Sequence, residues 1–164
     1  EVLIGYDGLS IAHSQKGPEL SLTKAQIFQA LASEVEVNGQ IVANPYKMWN
    51  EIDASLPATA ITVFGPPPTS GTRDAFVELV MDEGCKKFPE VMALEGQARR
   101  QACAQIREDG AFIGVEAKHV AIETLQIEQS LVISADAYGV MMNLQDLDCH
   151  LVLLREPICC RRVS

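Results

Sequence analysis

One short stretch, residues 61–72, constrains the fold of this chain more than any other. Residues 61–64 (ITVF) are β-forming, and three consecutive prolines, Pro66–Pro68, follow them after a single glycine. Because proline has no backbone N–H and cannot continue a strand, a strand here must end before the prolines. Ser70 is then a typical N-cap residue for a helix. The stretch therefore predicts a strand, a stiff turn and the start of a helix.

Two helices are predicted in succession beyond Ser70. The first has an apolar face made of Phe76, Val77, Val80 and Met81. Gly84 stands where a glycine commonly ends a helix. Pro89 suits the first turn of the second helix, which is predicted to run to about Arg107. Gly96 is a weak point inside it, and a helix in two parts is the alternative.

Two further elements are predicted before this stretch. Thr23 and Gln26 have the spacing of a capping box, in which each side chain satisfies an orphan backbone N–H at a helix start. Asn38-Gly39 lies between two runs of alternating residues and predicts a β-hairpin with a type I′ turn. A helix and a hairpin are therefore expected in the first third of the chain.

Composition and charge exclude several classes of function. The 164 residues are enough for one domain with a core, and the formal net charge of −9 disfavours nucleic acid as a partner. No stretch approaches the roughly 20 apolar residues that a membrane span needs, so no membrane insertion is expected. A small anion is not excluded, because a few local donors and a helix dipole suffice to hold it.

No motif for a cofactor, a metal or catalysis is present. A P-loop requires a lysine after its second glycine, but Thr72 follows Gly71, and five residues instead of four separate Gly65 from Gly71. The dinucleotide-binding pattern of glycines is also absent. The five cysteines lack zinc-ligand spacing, and no histidine lies beside a serine-elbow or Cys–His signature. We therefore expect no enzyme, no cofactor and no metal.

The residues with binding chemistry lie at the helix start after the prolines. Residues 69–74 (TSGTRD) leave several backbone N–H groups unblocked, and the helix dipole adds about half a positive charge there. Such a helix start binds phosphate-sized anions. Ser70 and Thr72 add hydroxyl donors, and the planar guanidinium of Arg73 matches two oxyanion oxygens. The alternative is that Ser70 only caps the helix while Arg73 extends into solvent.

At these residues the chain resembles a known family. Residues 65–79, which include Ser70-Gly71-Thr72-Arg73, are similar to the phosphate-binding loop and helix of periplasmic phosphate-specific substrate-binding proteins of ABC transporters. Other similar pieces occur in the family's order at residues 4–8 (IGYDG), 22–24 (LTK), 44–46 (NPY), 49–53 (WNEID) and 107–112 (REDGAF). The resemblance covers residues 1 to about 113.

The resemblance implies an α/β fold and a set of binding residues. The fold would be one lobe of a periplasmic-binding-protein type II clamshell, a mixed sheet flanked by helices, with the anion held between lobes by helix N-termini. Ser70, Gly71 and Thr72 match family positions that hydrogen-bond phosphate. Arg73 is similar to an arginine that joins them in part of the family. In other members an arginine precedes the Ser-Gly-Thr run, where this chain has Pro66–Pro68.

The implied function is the binding of inorganic phosphate. The chain would be the substrate-binding component, or a fragment of one, of an ABC-type phosphate importer. Such a protein is periplasmic, catalyses no reaction and delivers its ligand to a membrane permease. The alternative is a degenerate domain of the same family that binds nothing and serves a structural or interaction role.

The resemblance also divides the chain. Residues 1–113 correspond to a phosphate-binding-protein-like lobe, and residues 114–164 form a divergent C-terminal segment in which only residues 136–140 (DAYGV) resemble the family. The family portion that supplies the other lobe has no counterpart here. A frame-shifted or rearranged reading of a longer gene would explain the C-terminal segment, including its Cys159-Cys160 pair.

Cys85 and Cys103 are the expected disulfide pair. They flank the turn between the two predicted helices, and an antiparallel helix pair would bring them together. The periplasmic setting implied by the resemblance is oxidising, which keeps such a bond stable. The alternative is two buried free thiols, which are common in protein cores.

Overall fold

A computed structural model describes most of the first 115 residues and four short strands beyond them. The described residues are 5–7, 9–14, 18, 20–115, 131–134, 149–151, 153–154 and 161–163. Several sequence expectations lie outside the described residues, namely those on residue 4, Gly8, residues 136–140 and Cys159-Cys160. Among the helices described, none has the length and apolar character needed to cross a membrane.

A mixed five-stranded sheet organises the described part of the chain. Its strands are β2 (Ser10–Ser14), β6 (Val63–Gly65), β7 (Phe112–Gly114), β8 (Leu131–Ser134) and β9 (Cys149–Leu151). Their order in space is β7-β6-β8-β2-β9. Strand β6 is parallel to β7 and β8, whereas β2 is antiparallel to β8 and β9. The sheet is therefore mixed, as the sequence predicted.

Three smaller strand pairs are present in the described part of the chain. The predicted hairpin is confirmed as β4 (Glu34–Val37) and β5 (Gln40–Ala43), with φ of 52° at Asn38 and 77° at Gly39. These positive φ values are those a type I′ turn requires.

The other two pairs join distant parts of the chain. The short strands β1 (Gly5–Asp7) and β11 (Arg161–Val163) are antiparallel, and β3 (Ser21–Leu22) is parallel to β10 (Leu153–Leu154). Strands from beyond residue 113 therefore pair with strands from before it. The division of the chain at residue 113 stays a prediction.

The first helix begins at the predicted capping box. In α1 (Lys24–Leu31) the backbone N–H of Gln26 donates to Thr23 Oγ1 at 3.2 Å, and the backbone N–H of Thr23 donates to Gln26 Oε1 at 2.8 Å. Both predicted donors at the start of α1 are thus satisfied by side chains.

A short helix, α2 (Trp49–Ile52), follows the hairpin.

The helix after the proline turn is made of three joined pieces. These are α3 (Gly71–Phe76), a π-helical turn (Val77–Met81) and α4 (Asp82–Cys85), which run without a break from residue 71 to residue 85. We call residues 71–85 the composite helix. Three of its four predicted apolar-face residues, Phe76, Val80 and Met81, are fully buried.

The prediction that Gly84 ends this helix is wrong. Gly84 lies inside α4, and its role is close packing against α1. A Cβ added to Gly84 would overlap the carbonyl oxygen of Lys24 and lie 2.8 Å from Phe28 Cβ. Glycine is needed here because two helix backbones meet, which a single sequence does not reveal.

The second predicted helix is divided, as the alternative allowed. Pro89 occupies the first turn of α5 (Pro89–Ala93), and α6 (Gly96–Ala104) follows after a break at Leu94 and Glu95. Gly96, the first residue of α6, has φ of +56°. The chain leaves α6 before Arg107, so a single helix to that residue was wrong. The left-handed φ at Gly96 explains why the helix cannot be continuous there.

A disulfide fastens the end of the composite helix to α6. Cys85 and Cys103 are bonded, with their Cα atoms 5.4 Å apart, and both residues are buried. This separation lies inside the range that a disulfide spans without backbone movement. The structure therefore contains the disulfide pairing that the sequence predicted.

Candidate functional site

The turn between β6 and the composite helix is held tightly against β7. A Cβ added to Gly65 would lie 2.5 Å from Phe112 Cζ, so only glycine allows the ring to come this close. The backbone N–H of Val115 donates to the Gly65 carbonyl at 2.8 Å, and that of Ser70 donates to the Pro67 carbonyl at 3.0 Å. The turn is therefore fixed at both ends by backbone contacts.

The helix start that this turn leads into is open. Ser70 caps it, with Ser70 Oγ accepting a long hydrogen bond of 3.3 Å from the Thr72 N–H. Gly71 is exposed, and a Cβ added there would meet no atom within 4 Å. Among the described residues no acceptor is bonded to the Gly71 N–H. This N–H is therefore available to a ligand.

Arg73 lies at the same end of the helix and is partly buried. Its Nη1 donates to the Pro66 carbonyl at 3.2 Å, and its guanidinium carbon lies 4.3 Å from the centre of the Phe112 ring. Burial lowers the pKa of Arg73, and the nearby charge of Glu108 partly opposes this shift. No carboxylate of the described residues lies within ion-pair distance of Arg73.

In this arrangement Arg73 keeps N–H donors and a positive charge that could interact with an anion. A guanidinium carries five N–H donors, and its hydrogen bond to Pro66 occupies one of them. Its charge loses hydration through partial burial without gaining a close opposite charge. An anion bound beside it would offset that loss.

The second arginine in the family-like pieces has a different environment. Arg107 is buried, and its Nη1 donates to the carbonyl oxygens of Tyr46 at 2.8 Å and Ala30 at 3.2 Å. Its Nε donates to Asp109 Oδ1 at 2.8 Å, and its Nη2 donates to Asp109 Oδ2. Arg107 therefore ties α1 to the segments that contain Tyr46 and Asp109, and its role is structural.

Asp109 completes this network from an exposed position. The hydrogen bond from Arg107 is the main cause that holds the pKa of Asp109 far below its usual range. The ammonium group of Lys47 and the backbone N–H of Ala111 act in the same direction. Arg107 and Asp109 of the REDG piece that resembles the family thus support the fold.

The structure brings the four predicted binding residues to one place. Ser70, Gly71 and Thr72 form the open helix start, and the guanidinium of Arg73 reaches back to the turn that precedes it. Sequence reasoning missed Phe112, which supports both the turn and Arg73. The parallel pairing that sets Val63 opposite Phe112 is not visible locally in the sequence.

Fold and helix start together define a mixed α/β domain of the binding-protein class. The chain belongs to the PBP superfamily, because the family model described as a PBP superfamily domain matches residues 1–146. No curated protein matches the chain. The predicted family resemblance is therefore confirmed at the level of the superfamily.

Several solved structures are similar to the chain, and they include the following two. PstS from Borrelia burgdorferi is similar at 14% identity and a TM-score of 0.61, over 94% of this chain and 50% of that one. A possible phosphate binding protein from Planctomyces limnophilus is similar at 17% identity and a TM-score of 0.60, over 99% of this chain and 47% of that one.

These similarities show the fold of the chain. The predicted fold class, one lobe-like unit of a periplasmic-binding-protein fold with a mixed sheet and flanking helices, is confirmed. The chain spans about half the length of both solved structures. Ligand and partners are therefore addressed below as proposals.

Proposed function

We propose that this chain binds inorganic phosphate at the start of the composite helix. The residues that contact the phosphate are Ser70, Gly71, Thr72 and Arg73. One observation carries the proposal. An exposed helix start, whose Gly71 N–H has no acceptor among the described residues, stands at the same helix end as a partly buried arginine with no described carboxylate within ion-pair distance.

The physical basis is charge-assisted hydrogen bonding. The Gly71 N–H and the helix dipole favour a negative group at this end of the helix. The Thr72 N–H donates only a long hydrogen bond to Ser70 Oγ, so a phosphate oxygen can readily replace Ser70 Oγ as its acceptor. The charge of Arg73 then interacts with the anion in a partly dehydrated setting, where such attraction is stronger than in water.

We further propose that the chain acts as the substrate-binding component, or a fragment of one, of an ABC-type phosphate importer. The superfamily and the two similar structures support this role, and the buried Cys85–Cys103 disulfide fits an oxidising periplasm. The partner would be a membrane permease. The chain would be no enzyme and would use no cofactor, because recognition alone is required.

The affinity of this chain for phosphate is expected to be weak. A clamshell surrounds its ligand from two sides, whereas the helix start reaches only some of the phosphate oxygens. The remaining oxygens keep their water in a complex with this chain. Millimolar phosphate concentrations are therefore appropriate for the test.

Calorimetric titration with phosphate tests the proposal. Arg73→Ala should weaken binding by roughly 1.5–3 kcal/mol, the range for a hydrogen bond to a charged group. Arg99→Ala is the matched control, because Arg99 is exposed on α6 and its removal changes the net charge equally. Arg99→Ala should bind phosphate as the unchanged chain does.

Two outcomes would overturn the proposal in different ways. If the unchanged chain shows no saturable binding, the alternative of a non-binding structural domain is favoured. If Arg73→Ala and Arg99→Ala bind equally well, phosphate does not contact the Arg73 side and the helix start has been assigned wrongly.

A further inference from the structure

Phe112 stands in an unusual position between two parts of the proposed site. Its ring edge fits against Gly65, where any Cβ would clash, and the Arg73 guanidinium lies 4.3 Å from its ring centre. Phe112 itself is buried at the start of β7 and pairs with Val63 of β6. The ring therefore touches the end of the strand and the arginine at once.

These contacts restrict where the Arg73 guanidinium can be. Side chains of a helix point back toward its N-terminus, so Arg73 in the first turn reaches toward the turn that precedes the helix. The Pro66 carbonyl fixes one nitrogen of the guanidinium, and the aromatic ring attracts the cation. Without the ring, this flexible side chain would be held by a single hydrogen bond.

We propose that Phe112 is a positioning residue for phosphate binding: its ring holds the Arg73 guanidinium at the helix start, ready for the anion. The inference rests on the proposed function and adds to it a residue that does not itself touch phosphate. Phe112 acts through Arg73, because an aromatic ring offers no hydrogen-bond donor to an oxyanion.

Replacing the ring while keeping an apolar side chain is the first test. Phe112→Leu should weaken phosphate binding about 3- to 10-fold, the affinity equivalent of a partly desolvated cation–π contact. In an Arg73→Met background the same replacement should have no further effect. An equal loss in both backgrounds would show that Phe112 acts by packing alone and would overturn the inference.

Fluorination of the ring separates its electrostatics from its packing. Site-specific incorporation of 3,5-difluorophenylalanine at position 112 keeps the ring's shape but weakens the negative face that attracts a cation. Phosphate affinity should fall about 2- to 5-fold while the urea midpoint of unfolding stays within error. This variant also guards against a failure of Phe112→Leu to fold.

The outcomes distinguish the inference from the function on which it rests. An unchanged chain that binds no phosphate would overturn both. A chain that binds phosphate with the same affinity before and after fluorination and Phe112→Leu would leave the proposed function intact and overturn the role of Phe112.

Discussion

The two ends of the composite helix are built in opposite ways. At its C-terminal end Gly84 packs against the α1 backbone, and Cys85 is bonded to Cys103 of α6. At its N-terminal end Gly71 faces open space, and its N–H has no acceptor among the described residues. One helix thus has an end that is fixed by covalent and packing contacts and an end that is free to bind.

Because of this difference, a glycine stands at position 84 and at position 71 for different physical reasons. Gly84 is required because a neighbouring backbone occupies the place of a side chain. Gly71 has no neighbour among the described residues that requires a glycine, and under the proposed function the close approach of phosphate to its N–H would require one. On this proposal the fold needs Gly84 and phosphate binding needs Gly71, and the following predictions test that difference.

The largest expected effect is loss of the disulfide at the fixed end. The double variant Cys85→Ala, Cys103→Ala should lower the free energy of unfolding by about 3 kcal/mol, because the bond closes a loop with a sequence separation of 18 residues. Urea denaturation measures this change. Phosphate affinity should remain unchanged, since the bond is at the opposite end of the helix. An unchanged midpoint would mean that the bond does not restrict the unfolded chain.

A pair of glycine variants compares the two ends directly. Gly84→Ala should destabilise the chain by about 1–3 kcal/mol, the usual cost of forcing extra atoms into a packed core. Gly71→Ala should change the stability by less than about 0.5 kcal/mol, because its new Cβ meets no neighbour. Urea denaturation of both variants provides the measurement.

The Gly71→Ala variant also has an expected effect on binding. Its methyl group stands where phosphate would approach the N–H, so the affinity for phosphate should fall although the stability does not. Equal destabilisation by both alanines would remove the distinction between the fixed and the open end. A Gly71→Ala chain with full affinity would place the ligand elsewhere.

A modest expected effect on stability, and one that depends on pH, concerns Asp109, outside the helix. Its pKa is lowered in the folded chain by the Arg107 hydrogen bond, so its contribution to stability is present above the ordinary aspartate pKa of about 3.9. That contribution is lost as the pH falls below this value toward the folded pKa. Solvent screening of this half-exposed carboxylate limits it to about 1 kcal/mol.

The measurement is urea denaturation of the unchanged chain and Asp109→Asn between pH 7 and pH 3. The two chains should differ most at pH 7, and the difference should narrow as the pH falls. Phosphate affinity at pH 7 should be the same in both, because Asp109 is bonded to Arg107 and Lys47 and not to the helix start. A difference that grows on acidification would contradict the assigned pKa shift.

Local signals in the sequence predicted the elements that depend on local chemistry. The capping box of Thr23 and Gln26, the Asn38-Gly39 turn and the Ser70 cap all appear where neighbouring residues determine them. The four proposed binding residues are adjacent in sequence, so one helix start brings them together without any long-range contact. For that reason the candidate site was predictable.

Contacts between distant residues were not predictable in the same way. Gly84 is explained by Lys24 and Phe28 of another helix, and Phe112 by a parallel strand far from it in sequence. Arg73 and Arg107 both appear in the family-like pieces. Only the structure shows that Arg107 is saturated by carbonyls and Asp109, while Arg73 is not.

The most direct test of phosphate binding at the helix start is an NMR titration of backbone amides. As phosphate is added, the Gly71 and Thr72 amide signals should shift and saturate together, because these N–H groups would bond to the anion. The Gly84 amide serves as the internal reference and should stay in place. Saturable shifts elsewhere with Gly71 and Thr72 unmoved, or no saturable shift at all, would contradict the account.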